Sequence, residues 1–137
     1  MSKLIRFGVS IDKELIERFD KYIRERNYTN RSEALRDLIR NNLIEQEWEE
    51  EGDIAGGISI VYDHHRRELV NKLMNIQHDY ARTIISSQHV HLNHDNCLEI
   101  IIVKGSVKDV RALANKLRAL KGVKHCSMAK TTTAEEL

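Results

Sequence analysis

The stretch 83-TIISSQHVHLNHDNCLEIIIV-103 reads as two strands joined by a tight hairpin, over about Thr83–Leu92 and Cys97–Val103. On a strand, residues i and i+2 share a face. His89 and His91 therefore point one way, and Val90 and Leu92 the other. If Leu92 pairs with Asn96, the turn is the three-residue loop Asn93-His94-Asp95, a common hairpin connection. That register sets His91 opposite Cys97 and His89 opposite Glu99. All four polar side chains then share one face, with Val90, Leu92, Leu98 and Ile100 on the other. A slip of one residue would turn Cys97 to the wrong face.

Outward from the hairpin, the second half of the chain alternates elements. A strand is predicted over Ile58–Tyr62 and a helix over about His65–His78, with Leu69, Val70, Leu73 and Met74 on one side. After the hairpin, Ser106 caps a helix carrying Val110, Leu113, Leu117 and Leu120, and Gly122 supplies its C-terminal stop. A last strand covers about Val123–Ala129, and T-T-T-A-E-E-L is expected to fray. The order βαββαβ is the split-βαβ, ferredoxin-like arrangement, with a sheet on one side and two helices on the other.

The first half has a different grammar. Ile5, Phe7, Val9 and Ile11 alternate with Leu4, Arg6, Gly8 and Ser10, the pattern of a half-buried strand. Asp12 stands at a helix N-cap position, and Leu15, Ile16, Phe19, Tyr22 and Ile23 follow at helical spacing until Asn27 and Tyr28 break them. A second helix starts near Asn30, with Glu33 three residues on as in a capping box. Strand, helix, helix is the ribbon-helix-helix pattern. So small a unit needs a second copy to complete its core, the two strands pairing as an antiparallel ribbon. The fold class is therefore α+β: a ribbon-helix-helix unit at 1–44, an acidic linker at 45–57, and a ferredoxin-like, ACT-like effector domain at 58–137.

Charge supports the division. Among 137 residues the net charge is only +1, yet residues 1–42 carry ten basic and seven acidic side chains, 43–57 carry six acidic and none basic, and 58–137 carry twelve basic and eight acidic. Trp48, within the acidic stretch, reads either as a helix–helix or interdomain contact or as part of an exposed helix tail. Mean hydropathy is −0.50 and no apolar run approaches the roughly 20 residues that span a bilayer. A soluble, cytoplasmic protein without a membrane partner is expected, the start lacking a signal-peptide pattern. Two cysteines, Cys97 and Cys126, do not make a secreted disulfide framework.

Two imidazoles and a thiolate on one strand face are three ligands for a transition metal. Imidazole and thiolate suit zinc, copper and nickel; a square plane would favour Ni(II) or Cu(II), a tetrahedron zinc. Glu99 is placed to accept the second N–H of a ligand imidazole such as His89. For the fourth position, His78 near a helix end is the first choice and His94, at the turn tip, the nearest alternative; His64, His65 and His125 are less well placed. His64 and His65 open a basic run with Arg66 and Arg67, so phosphate contact or a weak secondary metal site are both open for them. Four protein ligands would leave no open position in a square plane, and no nucleophile–base pair stands out, so an enzyme is not expected.

A two-stranded ribbon fits the major groove of DNA. Its outward side chains here would be Arg6, Gly8 and Ser10, and Arg6 is suited to a bidentate contact with guanine. The start of the second helix, Asn30-Arg31-Ser32, offers free backbone N–H groups to a phosphate.

With both halves read, the chain resembles the nickel-responsive ribbon-helix-helix regulators of the NikR family. The resemblance spans nearly the whole sequence: R-F-G-V-S near the start, N-R-S-E-A-L-R-D in the second helix, Q-H at 77–78, H-V-H-L-N-H-D-N-C-L-E, and K-G at 104–105. It implies a transcriptional repressor of nickel uptake that binds a two-fold symmetric double-stranded operator. It implies a homotetramer, two DNA-binding dimers flanking four effector domains. It also implies one square-planar Ni(II) per subunit, held by His89, His91 and Cys97 of one subunit and His78 of another. Glu33 and Asp37 would help form a cation site, such as potassium, near the domain interface; by themselves they are an i, i+4 acidic pair. Arg66 and Arg67 match a basic pair that could touch the DNA backbone. One departure stands out: family reading strands often carry Arg-x-Thr-x-Thr, and this chain has Arg6-x-Gly8-x-Ser10, so fewer base contacts are expected.

Overall fold

The computed structural model describes residues 3–135 and 137. The chain divides into two compact units, residues 1–41 and 42–137.

In the first unit, residues 3–12 belong to no helix or strand, since the single chain offers them no strand to pair with. Their apolar side chains lie open, Ile5 at 84% and Phe7 at 69% exposure. Helix α1 is Lys13–Glu25 and α2 begins at Arg31. The Asp12 carbonyl accepts the first helical N–H, from Ile16, but its carboxylate makes no capping bond. Asn27, at φ 61°, turns the chain out of α1. The Asn30 side-chain oxygen accepts from the Glu33 N–H at 2.9 Å, and a Glu33 oxygen accepts from the Thr29 N–H at 3.1 Å. The capping-box pairing is thus formed, with the glutamate reaching one residue further back than its usual partner. Ile23 of α1 and Ala34 of α2 are buried, while Leu15, Leu35, Leu38 and Ile39 remain exposed, an incomplete core.

The second unit is a four-stranded antiparallel sheet of order β2-β3-β1-β4, built from β1 (Asp53–Tyr62), α3 (Arg67–Asp79), β2 (Ile84–His91), β3 (Cys97–Ser106), α4 (Val107–Ala119) and β4 (Val123–Lys130). This is the ferredoxin-like order. Alternate residues of the central strands, Ile54, Ile58, Ile60 and Tyr62 on β1 and Cys97, Ile101 and Val103 on β3, are buried with Leu69 and Leu73 of α3 and Val110, Leu113 and Leu117 of α4. Both helices therefore cover the same face. The other face leaves Val90, Leu92, Ile100 and Ile102 exposed. The predicted cap of α4 is present, Ser106 Oγ accepting from the Asp109 N–H at 3.1 Å. Gly122, at φ 104°, makes the turn into β4.

The acidic segment is not a linker along its length. Residues 45–49 complete α2 (Arg31–Glu49), and β1 begins at Asp53, five residues before the predicted Ile58. Trp48 is the physical reason. It is fully buried in the core of this unit, and its indole N–H donates to the Thr131 carbonyl at 2.8 Å. Gly56 makes room for it: a Cβ there would lie 3.1 Å from the indole ring and 2.8 Å from the Ala129 carbonyl oxygen. Gly56 thus serves a strand that passes beneath a tryptophan. The same contacts hold the tail expected to fray, with the Thr131 N–H donating to Ala55 and Thr132 Oγ1 to Glu47.

Candidate metal centre and DNA-facing residues

The hairpin adopts the predicted register. His89 pairs with Glu99, Val90 with Leu98 and His91 with Cys97, and the Leu92 N–H donates to the Asn96 carbonyl at 2.9 Å. The Asn93 side-chain oxygen accepts from the backbone N–H groups of Asp95 and Asn96, holding the loop closed. His89, His91, Cys97 and Glu99 lie on the helix-covered face, because Tyr62 pairs with Cys97 and Ile60 with Glu99 across β1. Position across the sheet then separates them. Cys97 and Glu99, on an inner strand, are buried, whereas His89 and His91, on the edge strand, are exposed. Their rings lie 5.5 Å apart.

Cys97 donates weakly to the Tyr62 carbonyl at 3.5 Å. Burial pushes its thiol pKa up; the Tyr62 side-chain hydroxyl opposes this, and the nearby Glu99 and Asp63 carboxylates add to it. A thiol must lose its proton to ligate a metal, and the raised pKa works against that loss. Glu99 meets different partners from those expected. Its carboxylate accepts from Tyr62 Oη at 2.8 Å and from Gln77 Nε2 at 2.7 Å. The phenol is shielded from ionising by burial first and by Glu99 next, so its pKa is raised. The carboxylate ties β3 to Gln77, the neighbour of His78 on α3. This link was not read from the sequence, because it depends on where α3 packs.

His78 sits exposed in the last turn of α3, beside a shallow recess of Met74, Gln77, Ala81 and Ile84. Among the described residues, metal-capable donor atoms gather to within 4.8 Å in two groups, Asp63/His64/His65 and His65/His94/Asp95, and neither contains His78, His89, His91 or Cys97. His125 joins neither group. Burial lowers the His64 pKa, and the neighbouring His65 and His91 lower it further against a smaller opposing pull from Asp63.

The residues predicted to face DNA fall into three sets. Arg6, Gly8 and Ser10 lie along the exposed N-terminal segment, and nothing approaches within 4 Å of a Cβ built on Gly8. Asn30 is occupied as a helix cap and Ser32 is exposed. Arg31 is held in a two-pronged ion pair with Asp20, both contacts 2.9 Å, which lowers the Asp20 pKa. Arg66 and Arg67 are exposed at the start of α3 and line a small recess with Lys72 and Lys121. Of the proposed cation ligands, Glu33 accepts from Thr29 and Asp37 from the Tyr28 hydroxyl.

Residues 5–46 match the ribbon-helix-helix protein, copG family, and residues 55–131 match the NikR C terminal nickel binding domain. A protein of Chlorobium phaeobacteroides is 59% identical over 94% of this chain and 96% of its own length. One of Syntrophus aciditrophicus is 54% identical over 94% of each chain. One of Nitratidesulfovibrio vulgaris is 52% identical over 100% of this chain and 99% of its own. Each carries the name "Putative nickel-responsive regulator". An uncharacterized protein of Thermotoga maritima shares the fold over 59% of this chain and all of its own, with a TM-score of 0.54 at 15% identity. Both domains are of regulator type rather than those of an enzyme. A DNA-binding ribbon-helix-helix domain joined to a NikR-type nickel-binding domain, with relatives matching end to end, places this chain in the nickel-responsive regulator family.

Proposed function

We propose that the protein is a cytoplasmic, nickel-dependent repressor of nickel-uptake genes. One Ni(II) per subunit would be held by His89, His91 and Cys97 of one subunit and His78 of the partner subunit. The observation that carries this reading is the β2–β3 register, which turns two imidazoles and a buried thiol to one face. Two imidazoles, a thiolate and a further imidazole fit a borderline divalent metal. Bound nickel would cross-link two subunits. Occupancy then biases assembly, provided nickel binds the DNA-competent arrangement more tightly than the other.

A homotetramer supports this use of His78. The exposed Val90, Leu92, Ile100 and Ile102 of the sheet, and the open apolar residues of the N-terminal segment, are surfaces suited to further copies of the chain. Paired N-terminal segments would place Arg6, Gly8 and Ser10 in the major groove of a two-fold symmetric operator. Asn30, Arg31, Ser32, Arg66 and Arg67 would meet the DNA backbone, which requires Arg31 to share or leave Asp20. Glu33 and Asp37 are assigned a potassium site, for which Asp37 would exchange its Tyr28 contact. The test is a nickel titration followed by visible absorption and by operator binding. Thiolate-to-nickel absorption should rise with DNA affinity in the parent, and both should be lost in Cys97→Ser. Retention of nickel-dependent DNA binding by Cys97→Ser would overturn the assignment.

A further inference from the structure

Asp20 and Arg31 tie together the two helices of the first unit. Asp20 lies on α1, and Arg31 is the first residue of α2. Arg31 Nε donates to one Asp20 carboxylate oxygen and Nη2 to the other, each at 2.9 Å. Two parallel bonds fix the plane of the guanidinium as well as its position. By contrast, Lys13–Glu17 and Lys21–Glu25 are single contacts along α1, at 3.9 and 3.8 Å. Surface pairs of that kind contribute little. The Asp20–Arg31 pair is also at the surface, so its use is sought in what it orients.

The informative part is the edge that the carboxylate leaves free. A guanidinium carries five N–H donors. Asp20 takes the Nε–H and one N–H of Nη2. The end formed by Nη1 and Nη2 still presents two parallel donors, the fork that fits a phosphate. The Arg31 side chain is 62% exposed against 33% for Asp20, so the arginine is the more open partner. It stands at the start of a 19-residue helix, whose positive end favours anions. The Asn30 cap on the Glu33 N–H fixes that start. The hydrogen bonds from Arg31 also lower the Asp20 pKa, so the carboxylate that does the holding stays ionised.

We propose that Asp20 is a positioning residue for DNA binding: it holds Arg31 with the phosphate-binding edge presented, and the pair stays intact when a backbone phosphate arrives. This rests on the reading above that Arg31 meets the DNA backbone, and it selects sharing over leaving. Ordering a free arginine on binding would weaken affinity by roughly two- to tenfold per side chain. The opposing effect is repulsion between the carboxylate and the phosphate. For unit charges on the order of 8 Å apart in water that is about twofold, and salt screens it further. Positioning therefore outweighs repulsion.

The experiment follows binding of the nickel-loaded, full-length protein to a fluorescein-labelled double-stranded DNA of mixed sequence, by anisotropy at several salt concentrations. A mixed sequence suffices, because phosphate contacts carry no sequence information. Asp20→Asn, Arg31→Ala and the double variant are compared with the parent, and far-UV circular dichroism checks that each is folded. Arg31→Ala should weaken binding and flatten its salt dependence. Asp20→Asn removes a negative charge, so charge alone would tighten binding, whereas loss of positioning should weaken it by about threefold. In the Arg31→Ala background the same substitution should cause no loss. Unchanged or tighter binding by Asp20→Asn, with Arg31→Ala weakened, overturns the positioning role and marks Asp20 as a competitor of DNA. An equal loss in both backgrounds marks a purely structural pair and also overturns it. If Arg31→Ala binds as the parent does, the reading of Arg31 as a DNA contact fails, and the proposal falls with it.

Discussion

Replacing Glu99 by alanine is the sharpest probe of how β3 is held. The carboxylate is 7% exposed and accepts from Tyr62 Oη and Gln77 Nε2. Gln77 is only half-buried, so water replaces its lost partner. Tyr62 is 3% exposed, and its hydroxyl is left without one, a penalty of about 1–3 kcal/mol. Lost packing of the side-chain methylene adds about 0.8 kcal/mol. Relief from burying a carboxylate works the other way and holds the net to about 2 kcal/mol. For a unit of this size that is roughly 8–16 °C in Tm, at about 4–8 °C per kcal/mol. Glu99→Gln keeps the volume and an acceptor for the phenol, so it should lose less than half as much. The assay is urea and thermal unfolding of the nickel-free protein followed by circular dichroism. A Glu99→Ala loss within about 0.5 kcal/mol, the range of an ordinary surface change, would refute the reasoning. So would a Glu99→Gln variant as unstable as Glu99→Ala.

Gly56→Val should destabilise by about 1–3 kcal/mol through overpacking, because its Cβ meets the backbone oxygen of Ala129 and the Trp48 ring; an unchanged denaturation midpoint would contradict the close approach. The raised Cys97 pKa sets two opposite pH trends. In the metal-free protein its contribution is fully present below the ordinary thiol value of 9.0 and is lost as pH rises through the higher folded value. Nickel affinity instead rises with pH below that folded value, as the thiol proton must leave; calorimetry in buffers of different ionisation enthalpy counts the proton released, and a pH-independent affinity would exclude thiolate ligation. Arg6→Ala should relax discrimination between operator sequences, at roughly 1–3 kcal/mol per lost bidentate contact. Arg66→Ala should weaken binding to all sequences alike and flatten its salt dependence by about one unit of slope; competition binding at several salt concentrations separates the two.

The hairpin was legible because its information is local. A period of two, a three-residue loop and the Leu92–Asn96 pairing determine which side chains share a face, and the same holds for the Ser106 cap and the Gly122 stop. The acidic segment was misread because glycine and glutamate argue locally against a strand and a core. What overrides them is the Trp48 indole, buried in the core and hydrogen-bonded to Thr131, which comes from a remote position in the chain.

By itself the sequence determined the two-part architecture, the register of the β2–β3 hairpin and the family. Tertiary structure alone decided which sheet face the helices cover, and so why Cys97 and Glu99 are buried while His89 and His91 stay open to solvent. It decided that Glu99 serves Tyr62 and Gln77, because a helix must dock before a side chain on it finds a partner. It also brought His64 and His65 against His91 and His94, since the end of one strand meets the turn between two others only when the sheet is assembled.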